Sequence, residues 1–268
     1  MTSTVETFRN LHKNQTPLRL PNAWDAGSAR LIESLGAAAV ATTSAGMAWS
    51  LGYRDGHIAP ADEVIAAASR MVRVVKVPLT VDIENGYSDN PKQVAALVMR
   101  LVDLGVAGIN IEDGRDSAAT LAHKIEAIKA SVSKANRDIF VNARCDVFLA
   151  SLVESSRRVD ESIQRGKLYA GAGADGLFLP VIHQADHIRA VTGAVSLPLN
   201  VMAIPGLADA AELGKLGVRR LSAGSGIAQI LWQKTEQLAR EFLDSGQSDT
   251  VATSGMPYGK LQGLFPAA

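Results

Sequence analysis

Five polar side chains stand at or just after the ends of three apolar runs in the middle of the chain. Asp82 and Glu84 are two residues apart, Glu112 follows the next run, and Asn142 and Arg144 repeat the two-residue spacing. Residues two apart in a strand face the same side of a sheet, so each pair is expected to point in one direction. Carboxylates that converge there would repel one another unless a cation offset their charge.

The cation that this cluster favours is divalent and takes oxygen ligands. Mg²⁺ fits best, because it binds one or two carboxylates directly and keeps several waters. Zinc is disfavoured, since none of the five histidines forms a pair at ligand spacing on a strand end. The alternative is that these carboxylates cap helices or form ion pairs with Arg144 and Arg54.

Two features of the sequence could bind the anionic part of a substrate. Arg144 is predicted to clamp a carboxylate or phosphoryl group, because a guanidinium binds such groups in a bidentate way. Residues 43–46, Thr-Ser-Ala-Gly, offer hydroxyls and backbone N–H groups as a second anion holder, although a simple strand-to-helix turn is the alternative. No lysine ends a predicted strand, which argues against Schiff-base chemistry, and Cys145 is predicted to face the core.

The elements that must position these side chains are short apolar runs that alternate with longer amphipathic stretches. Eight such strand–helix units in about 230 residues predict a (β/α)8 barrel, with a doubly wound open sheet as the competitor. Chemistry in a barrel lies at the carboxyl ends of its strands, where the polar residues fall. The predicted strands are Leu18–Pro21, Ala38–Thr42, Leu79–Ile83, Ala107–Ile111, Ile139–Ala143, Gly176–Leu179, Leu199–Ala203 and Arg220–Ala223.

Composition and length limit the remaining choices. The chain has 27 basic and 27 acidic residues, so nucleic acid and anionic membranes are not expected as partners. A single cysteine and no leader-like or membrane-length apolar segment predict a cytoplasmic protein. We expect one catalytic barrel domain over residues 1–244, with an extra N-terminal helix, and a C-terminal tail or arm over residues 245–268.

Five motifs resemble, in order and spacing, those of the isocitrate lyase / phosphoenolpyruvate mutase superfamily. The likeness covers roughly residues 5–240. The motifs are PNAWDAGSAR at 21–30, TSAG at 43–46 with LGYRD at 51–55, VDIENGY at 81–87, IED at 111–113 and NAR at 142–144.

The resemblance implies a (β/α)8 barrel enzyme that binds Mg²⁺ and a 2-oxo acid or its enolate, and breaks or forms an adjacent C–C or P–C bond. It also implies a homotetramer in which a C-terminal helix is exchanged between subunits. By position, Asp82 would be the direct metal ligand. Metal-bound waters would be held by Asp55, Glu84 and Glu112. The substrate would be bound by Thr43, Ser44, Gly46, Arg144 and Asn200, and the catalytic residues would be Arg144, Asp55 and Glu112.

The chain departs from the lyases of this superfamily after the fourth predicted strand. Isocitrate and methylisocitrate lyases carry a Lys-Lys-Cys-Gly-His type lid whose cysteine supplies a proton. Here Glu112 and Asp113 lead through residues 114–118 almost directly into a helix, a loop also shorter than the lid of phosphoenolpyruvate mutase. We therefore expect a lid-poor, phosphonomutase-like branch of the superfamily.

Three functions remain open from the sequence. The first is a Mg²⁺-dependent lyase or decarboxylase acting on an oxaloacetate-like acid or a substituted malate. The second is a phosphonopyruvate hydrolase or a phosphoenolpyruvate mutase-type enzyme that acts on a P–C bond. The third is a non-catalytic protein that binds 2-oxo acids.

Overall fold

The centre of the molecule is a sheet of parallel strands. The structure is a computed structural model that describes residues 3–265, and its strands follow the order β1-β9-β8-β7-β6-β5-β4-β3-β2. The strands are Leu18–Leu20 (β1), Asn22–Ala23 (β2), Val40–Thr42 (β3), Leu79–Asp82 (β4), Gly108–Glu112 (β5), Phe140–Arg144 (β6), Gly176–Leu179 (β7), Leu199–Met202 (β8) and Val218–Ser222 (β9).

The first two strands close this sheet into a nearly complete barrel. Only Pro21 separates β1 from β2, and proline has no N–H to give to a strand ladder. Leu18 pairs with Arg220 of β9, whereas Asn22 pairs with Ala41 of β3. The two short strands therefore occupy a single strand position of the barrel, interrupted at Pro21. The predicted (β/α)8 barrel is confirmed, and the open sheet is wrong.

Helices connect the strands and cover the barrel. Within residues 3–265 they are Thr4–Leu11 (α1), Ala26–Ser34 (α2), Ser44–Ser50 (α3), Ala61–Val74 (α4), Pro91–Leu104 (α5), Ala118–Lys134 (α6), Arg158–Gly171 (α7), Ala185–Ala194 (α8), Ala210–Lys215 (α9), Gly226–Ser245 (α10), Asp249–Thr253 (α11) and Tyr258–Gln262 (α12). None of these helices is both long and apolar enough to cross a membrane. The connection between β5 and α6 is only residues 113–117, as short as the sequence predicts.

The N-terminal helix seals the end of the barrel where the strands begin. Phe8 of α1 is fully buried in an apolar cluster with Leu18, Ala39 and Phe140, which lie at or near the strand starts. Its ring meets the Phe140 ring edge-on, with 5.2 Å between centroids. The predicted helix is therefore present in the described residues, and one aromatic side chain anchors it.

The C-terminal segment is more helical than a loose tail. Helix α10 runs to Ser245, and the short helices α11 and α12 follow it. The Leu264 carbonyl accepts a hydrogen bond from Arg30 Nε of α2 at 2.5 Å, so this segment folds back onto its own barrel. Residues 266–268 of the predicted arm lie outside the described residues. The domain boundary at residue 244 stays a prediction.

Replacing Phe8 by alanine is expected to lower the free energy of unfolding by about 3–5 kcal/mol, because it removes a buried ring and leaves a cavity. Urea denaturation of the purified protein measures this loss. Thr7 is exposed on the same helix, so Thr7→Ala should stay within about 0.5 kcal/mol of the original protein. Equal midpoints for Phe8→Ala and Thr7→Ala would show that α1 does not support the barrel.

Candidate active site

A small pocket of about 160 Å³ lies at the carboxyl ends of the strands. Polar side chains from most of the staves reach it. Those that line it are Asn22, Thr43, Ser44, Asp55, Asp82, Asn110, Arg144, Ser222 and Ser225. A larger groove of about 1290 Å³ lies on the outside of the barrel, but its lining is mainly apolar and carries no such convergence of charged groups. Convergent polar groups are what a catalytic pocket needs, so we take the small pocket as the candidate site.

Asp82 is the buried carboxylate of this pocket. It ends β4, where its Oδ1 accepts from the backbone N–H of Glu84 at 3.0 Å and its Oδ2 from Asn110 Nδ2 at 3.4 Å. Burial, followed by the nearby charge of Glu112, raises the pKa of Asp82 to about 7, and Arg144 only partly opposes this. The negative charge of Asp82 is thus only partly compensated by the protein.

Glu84 reaches the site by a different route from the one that the sequence suggested. The expectation that Asp82 and Glu84 share a strand face is wrong, because β4 ends at Asp82 and Glu84 lies in a turn with φ of +51°. Burial raises the pKa of Glu84. Its side chain accepts from the backbone N–H of His57 and from the Tyr87 hydroxyl, the latter at 3.1 Å. Such a left-handed residue stores backbone strain, which is common at functional sites.

His57 bridges two of the predicted carboxylates. Its Nε2 lies 3.3 Å from Glu112 Oε1 and 3.5 Å from Glu84 Oε2. The hydrogen bond to Glu112 is the main reason why the pKa of His57 is raised. Burial would raise the pKa of Glu112, but the contacts with His57 and Arg144 lower it overall. Glu84 and Glu112 therefore lie side by side, next to the pocket rather than in its lining.

Arg144 is held by two carboxylates. Its Nε and Nη2 bind the two oxygens of Asp146 at 2.7 and 2.9 Å, and its Nη1 binds Glu112 Oε2 at 2.7 Å. Burial would lower the pKa of Arg144, but the charges of Glu112 and Asp146 raise it overall. A guanidinium has five N–H donors, so two remain, one on each Nη. The bidentate contact that the sequence predicted for a substrate anion is made in the structure with Asp146.

The segment 43–46 forms the start of helix α3. Met47 N donates to Thr43 O and the Thr43 N–H donates to Ala23 O, which leaves the N–H groups of Ser44, Ala45 and Gly46 without an intrahelical acceptor. Thr43, Ser44 and Ala45 line the pocket. Gly46 lies outside the lining, and a Cβ there would stand only 2.7 Å from Thr43 Cγ2 and 2.9 Å from Trp24 Cβ. Its role in the structure is close packing.

Asn200 lies inside the barrel and not in the pocket lining, contrary to its prediction as a substrate-binding residue. It is 1% exposed, and its Nδ2 donates to the carbonyl of Val201 at 2.7 Å. Its Oδ1 accepts from Asn142 Nδ2 at 3.1 Å, and Asn142 also donates to Asn110 Oδ1 at 2.9 Å. Asn142 and Asn200 therefore form a polar floor under the pocket. Their mutual hydrogen bonds satisfy amide groups that would be costly to bury unpaired.

The residues present fit a hard cation held mainly through water. Asp82 offers an undercompensated carboxylate, and Asp55 lines the same pocket. Among residues 3–265, no three His, Cys, Asp or Glu side chains stand close enough together to hold a metal ion directly. Mg²⁺ needs only one or two direct carboxylates, so this donor set suits it.

Reading of the sequence missed four residues around the site: His57, Asn110, Asp146 and Arg220. Asn110 and Asp146 had a signal, since each lies two residues from a residue that the sequence did single out. His57 had none, because its contacts are made with residues that are far away along the chain. Arg220 was read only as part of an apolar run.

Comparison with known proteins agrees with this geometry. Residues 8–243 match the family model described as phosphoenolpyruvate phosphomutase. The chain belongs to the phosphoenolpyruvate phosphomutase family. Its sequence is 37% identical over 260 residues to an uncharacterized protein of Mycobacterium tuberculosis, which covers 96% of this chain and 95% of the relative.

Two relatives with named activities and one solved structure extend the comparison. The 2-methylisocitrate lyase of Escherichia coli is 30% identical and covers 72% of this chain and 68% of its own length. Oxaloacetate decarboxylase 1 of Pseudomonas fluorescens is 29% identical and covers 82% and 78%. The phosphoenolpyruvate phosphomutase structure from Streptomyces platensis subsp. rosaceus superposes with a TM-score of 0.85 at 25% identity and covers 97% and 95%. The chain is therefore an enzyme of the isocitrate lyase / phosphoenolpyruvate mutase superfamily, as the motifs indicated.

A methyl group at position 46 should test how tightly α3 packs at the site. Gly46→Ala is expected to lower the free energy of unfolding by about 1–3 kcal/mol, because the new Cβ overlaps Thr43 and Trp24. A methyl group on Gly193 of α8 would meet no atom within 4 Å among the described residues beyond its own helix, so Gly193→Ala should be neutral or stabilising. Thermal and urea unfolding compare the two variants. A Gly46→Ala protein as stable as Gly193→Ala would contradict the packing role.

Proposed function

We propose that this enzyme is a Mg²⁺-dependent lyase or decarboxylase of the cytoplasm that cleaves a C–C bond next to the carbonyl of a small 2-oxo acid. Oxaloacetate-like acids and substituted malates are the substrate class. The observation that carries this proposal is the buried Asp82 carboxylate, which among the described residues accepts hydrogen bonds only from one amide and one backbone N–H, in a pocket that Arg144 and the start of α3 also line.

The reaction needs a place for the electrons of the broken bond. In decarboxylation of an oxaloacetate-like acid, the bond to the departing CO2 breaks, and its electron pair moves to the C2 carbonyl oxygen and gives an enolate, which then takes a proton at C3. In cleavage of a substituted malate, the C2 hydroxyl would give its proton to a carboxylate such as Asp55, which lines the pocket, and become the carbonyl of the released 2-oxo acid. The electron pair of the C2–C3 bond then moves to the C4 carboxylate, and the second product takes a proton at C3. Mg²⁺ held by Asp82, with Asp55, Glu84 and Glu112 binding its waters, would stabilise the negative oxygen as a Lewis acid. The two remaining N–H groups of Arg144 would add hydrogen bonds to the same anion.

The other end of the substrate would be a carboxylate. The hydroxyls of Thr43 and Ser44 and the N–H groups of Ser44 and Ala45 form a donor set at the edge of the pocket. The positive end of a helix dipole favours an anion there. A pocket of about 160 Å³ is much smaller than sites for drug-sized ligands, which suits a small dicarboxylate.

The segment that follows β5 also bears on the choice of reaction. Only residues 113–117 join Glu112 to α6, and Ser117 caps that helix by accepting from Thr120 N. This segment contains no cysteine that could protonate a product. The single cysteine of the chain, Cys145, lies elsewhere and is buried. Decarboxylation and retro-aldol cleavage depend least on groups supplied by a lid, and we therefore favour these two reactions.

A second candidate is a P–C bond enzyme of the phosphonopyruvate hydrolase or phosphoenolpyruvate mutase type. The match of residues 8–243 to the phosphoenolpyruvate phosphomutase model supports it. Release of inorganic phosphate from phosphonopyruvate, or its conversion to phosphoenolpyruvate, would favour this candidate. Release of CO2 or of a smaller 2-oxo acid from oxaloacetate or a 2-alkylmalate would favour the first.

Removing the charge of Asp82 should abolish turnover. Asp82→Asn keeps the shape of the side chain, and we expect kcat/KM to fall by at least about a hundredfold, because a metal ligand is lost. The measurement is a panel of oxaloacetate, 2-alkylmalates and phosphonopyruvate with Mg²⁺, repeated in excess chelator. Asp186 is highly exposed, so Asp186→Asn is the matched control and should keep full activity. Undiminished activity of Asp82→Asn or of the chelated enzyme would refute the metal-dependent mechanism.

We also propose that the enzyme is a homotetramer whose subunits exchange the C-terminal helical arm, so that in the assembly the arm would lie on a neighbouring subunit instead of against Arg30 of its own barrel. Helix α10 carries three large apolar side chains that are each at least half exposed, namely Ile230, Leu231 and Trp232. Ile230 and Leu231 line the large apolar groove between α2 and α10. An exposed apolar patch of this kind is typical of a subunit interface.

Placing a charge on this patch should break the assembly. Ile230→Glu is expected to convert tetramers to smaller species, because an unpaired carboxylate would be buried in the interface. Light scattering after size exclusion gives the mass of each species. Arg240, on the polar side of the same helix, forms an ion pair with Glu236 and with no other side chain in the described part of the chain, so Arg240→Glu serves as the control. A monomeric original protein would refute the tetramer.

A further inference from the structure

The interior of the barrel contains a cation that the mechanism has not used. Arg220 of β9 is 0% exposed and makes no ion pair with a carboxylate among the described residues. Its Nη2 donates to Asn110 Oδ1 at 3.2 Å, while its Nε and Nη1 have no hydrogen-bond partner in the described structure. The Phe8 ring lies beneath its guanidinium, with 5.9 Å between the ring centroid and Arg220 Cζ. Burying such a group is costly, so its position calls for an explanation.

Arg220 meets the one amide that touches Asp82. The Asn110 carbonyl oxygen receives two hydrogen bonds, from Arg220 Nη2 and from Asn142 Nδ2. The remaining face of this amide is its NH₂ group, which donates to Asp82 Oδ2 at 3.4 Å. Arg220 has only hydrogen-bond donors, so it can pair with the carbonyl oxygen of the Asn110 amide and not with its NH₂ group. A reversed amide would turn an oxygen towards Asp82 and an NH₂ towards the guanidinium.

We propose that Asn110 is a positioning residue that holds Asp82 in the orientation needed for the metal, and that Arg220 fixes the direction of the Asn110 amide from inside the barrel. This inference rests on the proposed function, because it concerns the same metal site. Residues behind a metal ligand orient it and commonly control its affinity.

The sign of the effect separates positioning from simple charge. Arg220 is positive, so its removal would by Coulomb's law relieve repulsion and strengthen the binding of a cation at Asp82. Loss of the Asn110 orientation would weaken binding instead. If the removal of Arg220 weakens the binding of the cation, the effect is therefore one of positioning and not of charge. A change in the stability of the fold alone does not predict weaker binding of the cation.

Binding of Mn²⁺ to chelator-treated protein tests this directly, by following the electron paramagnetic resonance signal of the free ion. Asn110→Ser keeps a small polar group that cannot span from Arg220 to Asp82, and we expect the metal affinity to fall about tenfold. Arg220→Met should weaken binding about threefold in the original protein, as expected for coupled residues of one network. In the Asn110→Ser background, Arg220→Met should produce no further weakening.

Two controls protect this result from a loss of fold. Arg219 is the neighbour of Arg220 on β9, and within residues 3–265 its Nη1 donates to the carbonyls of Gly214 and Val218 alone. Arg219→Met should leave Mn²⁺ affinity unchanged. Circular dichroism and thermal melts report whether each variant is folded. Arg220→Met removes a buried group with two unpartnered nitrogens, so it remains informative even if Asn110→Ser does not fold.

The outcomes separate this inference from the proposed function. If the original protein binds no Mn²⁺ or Mg²⁺, both the metal-dependent function and this inference are refuted. If it binds the metal and Asn110→Ser binds within twofold of it, only the inference fails. The inference also fails if Arg220→Met tightens binding in the original protein or weakens it equally in both backgrounds.

Discussion

The balance of charge at the carboxyl end of the barrel is the interaction on which the site depends. Buried carboxylates are costly unless a cation or several donors face them. Glu112 and Asp146 share Arg144, and Glu112 also meets His57. Among the described residues, the side chain of Asp82 accepts hydrogen bonds only from an amide and a backbone N–H, and burial raises its pKa to about 7. The outer carboxylates thus have cationic partners within the described part of the protein, and the central one does not.

The barrel produces this arrangement because its closed sheet brings strands from the whole chain to one centre. Asn110, Asn142 and Asn200 come from three strands of the barrel and hydrogen bond in a row, with Asn110 in the pocket lining and the other two beneath it. Arg220 meets this row from β9, and Phe8 closes the barrel below. A polar interior is unusual for a barrel core, and here it places rigid donors directly under the candidate metal ligand.

Family membership limits the chemistry without choosing the reaction. The proteins that this chain resembles include a 2-methylisocitrate lyase, an oxaloacetate decarboxylase and a phosphoenolpyruvate phosphomutase. The segment 113–117 is too short to cover the pocket with a large lid, so the residues that line the pocket come from the strands, from the turns that follow them and from α3. The orientation of Arg144 in this pocket depends on Asp146, a residue that the sequence analysis did not single out.

The sequence by itself determined the barrel and the end of it at which the candidate site lies. Apolar runs repeat at strand length, and Asp82 and Arg144 stand where these runs stop, so local pattern was sufficient. The tertiary structure decided the partners of each side chain. Glu84 turns out of its strand, Asn200 is buried beneath the pocket, and Arg220 reaches an amide 110 residues away. Such pairings depend on distances between strands that are remote in sequence, and no local periodicity encodes those distances.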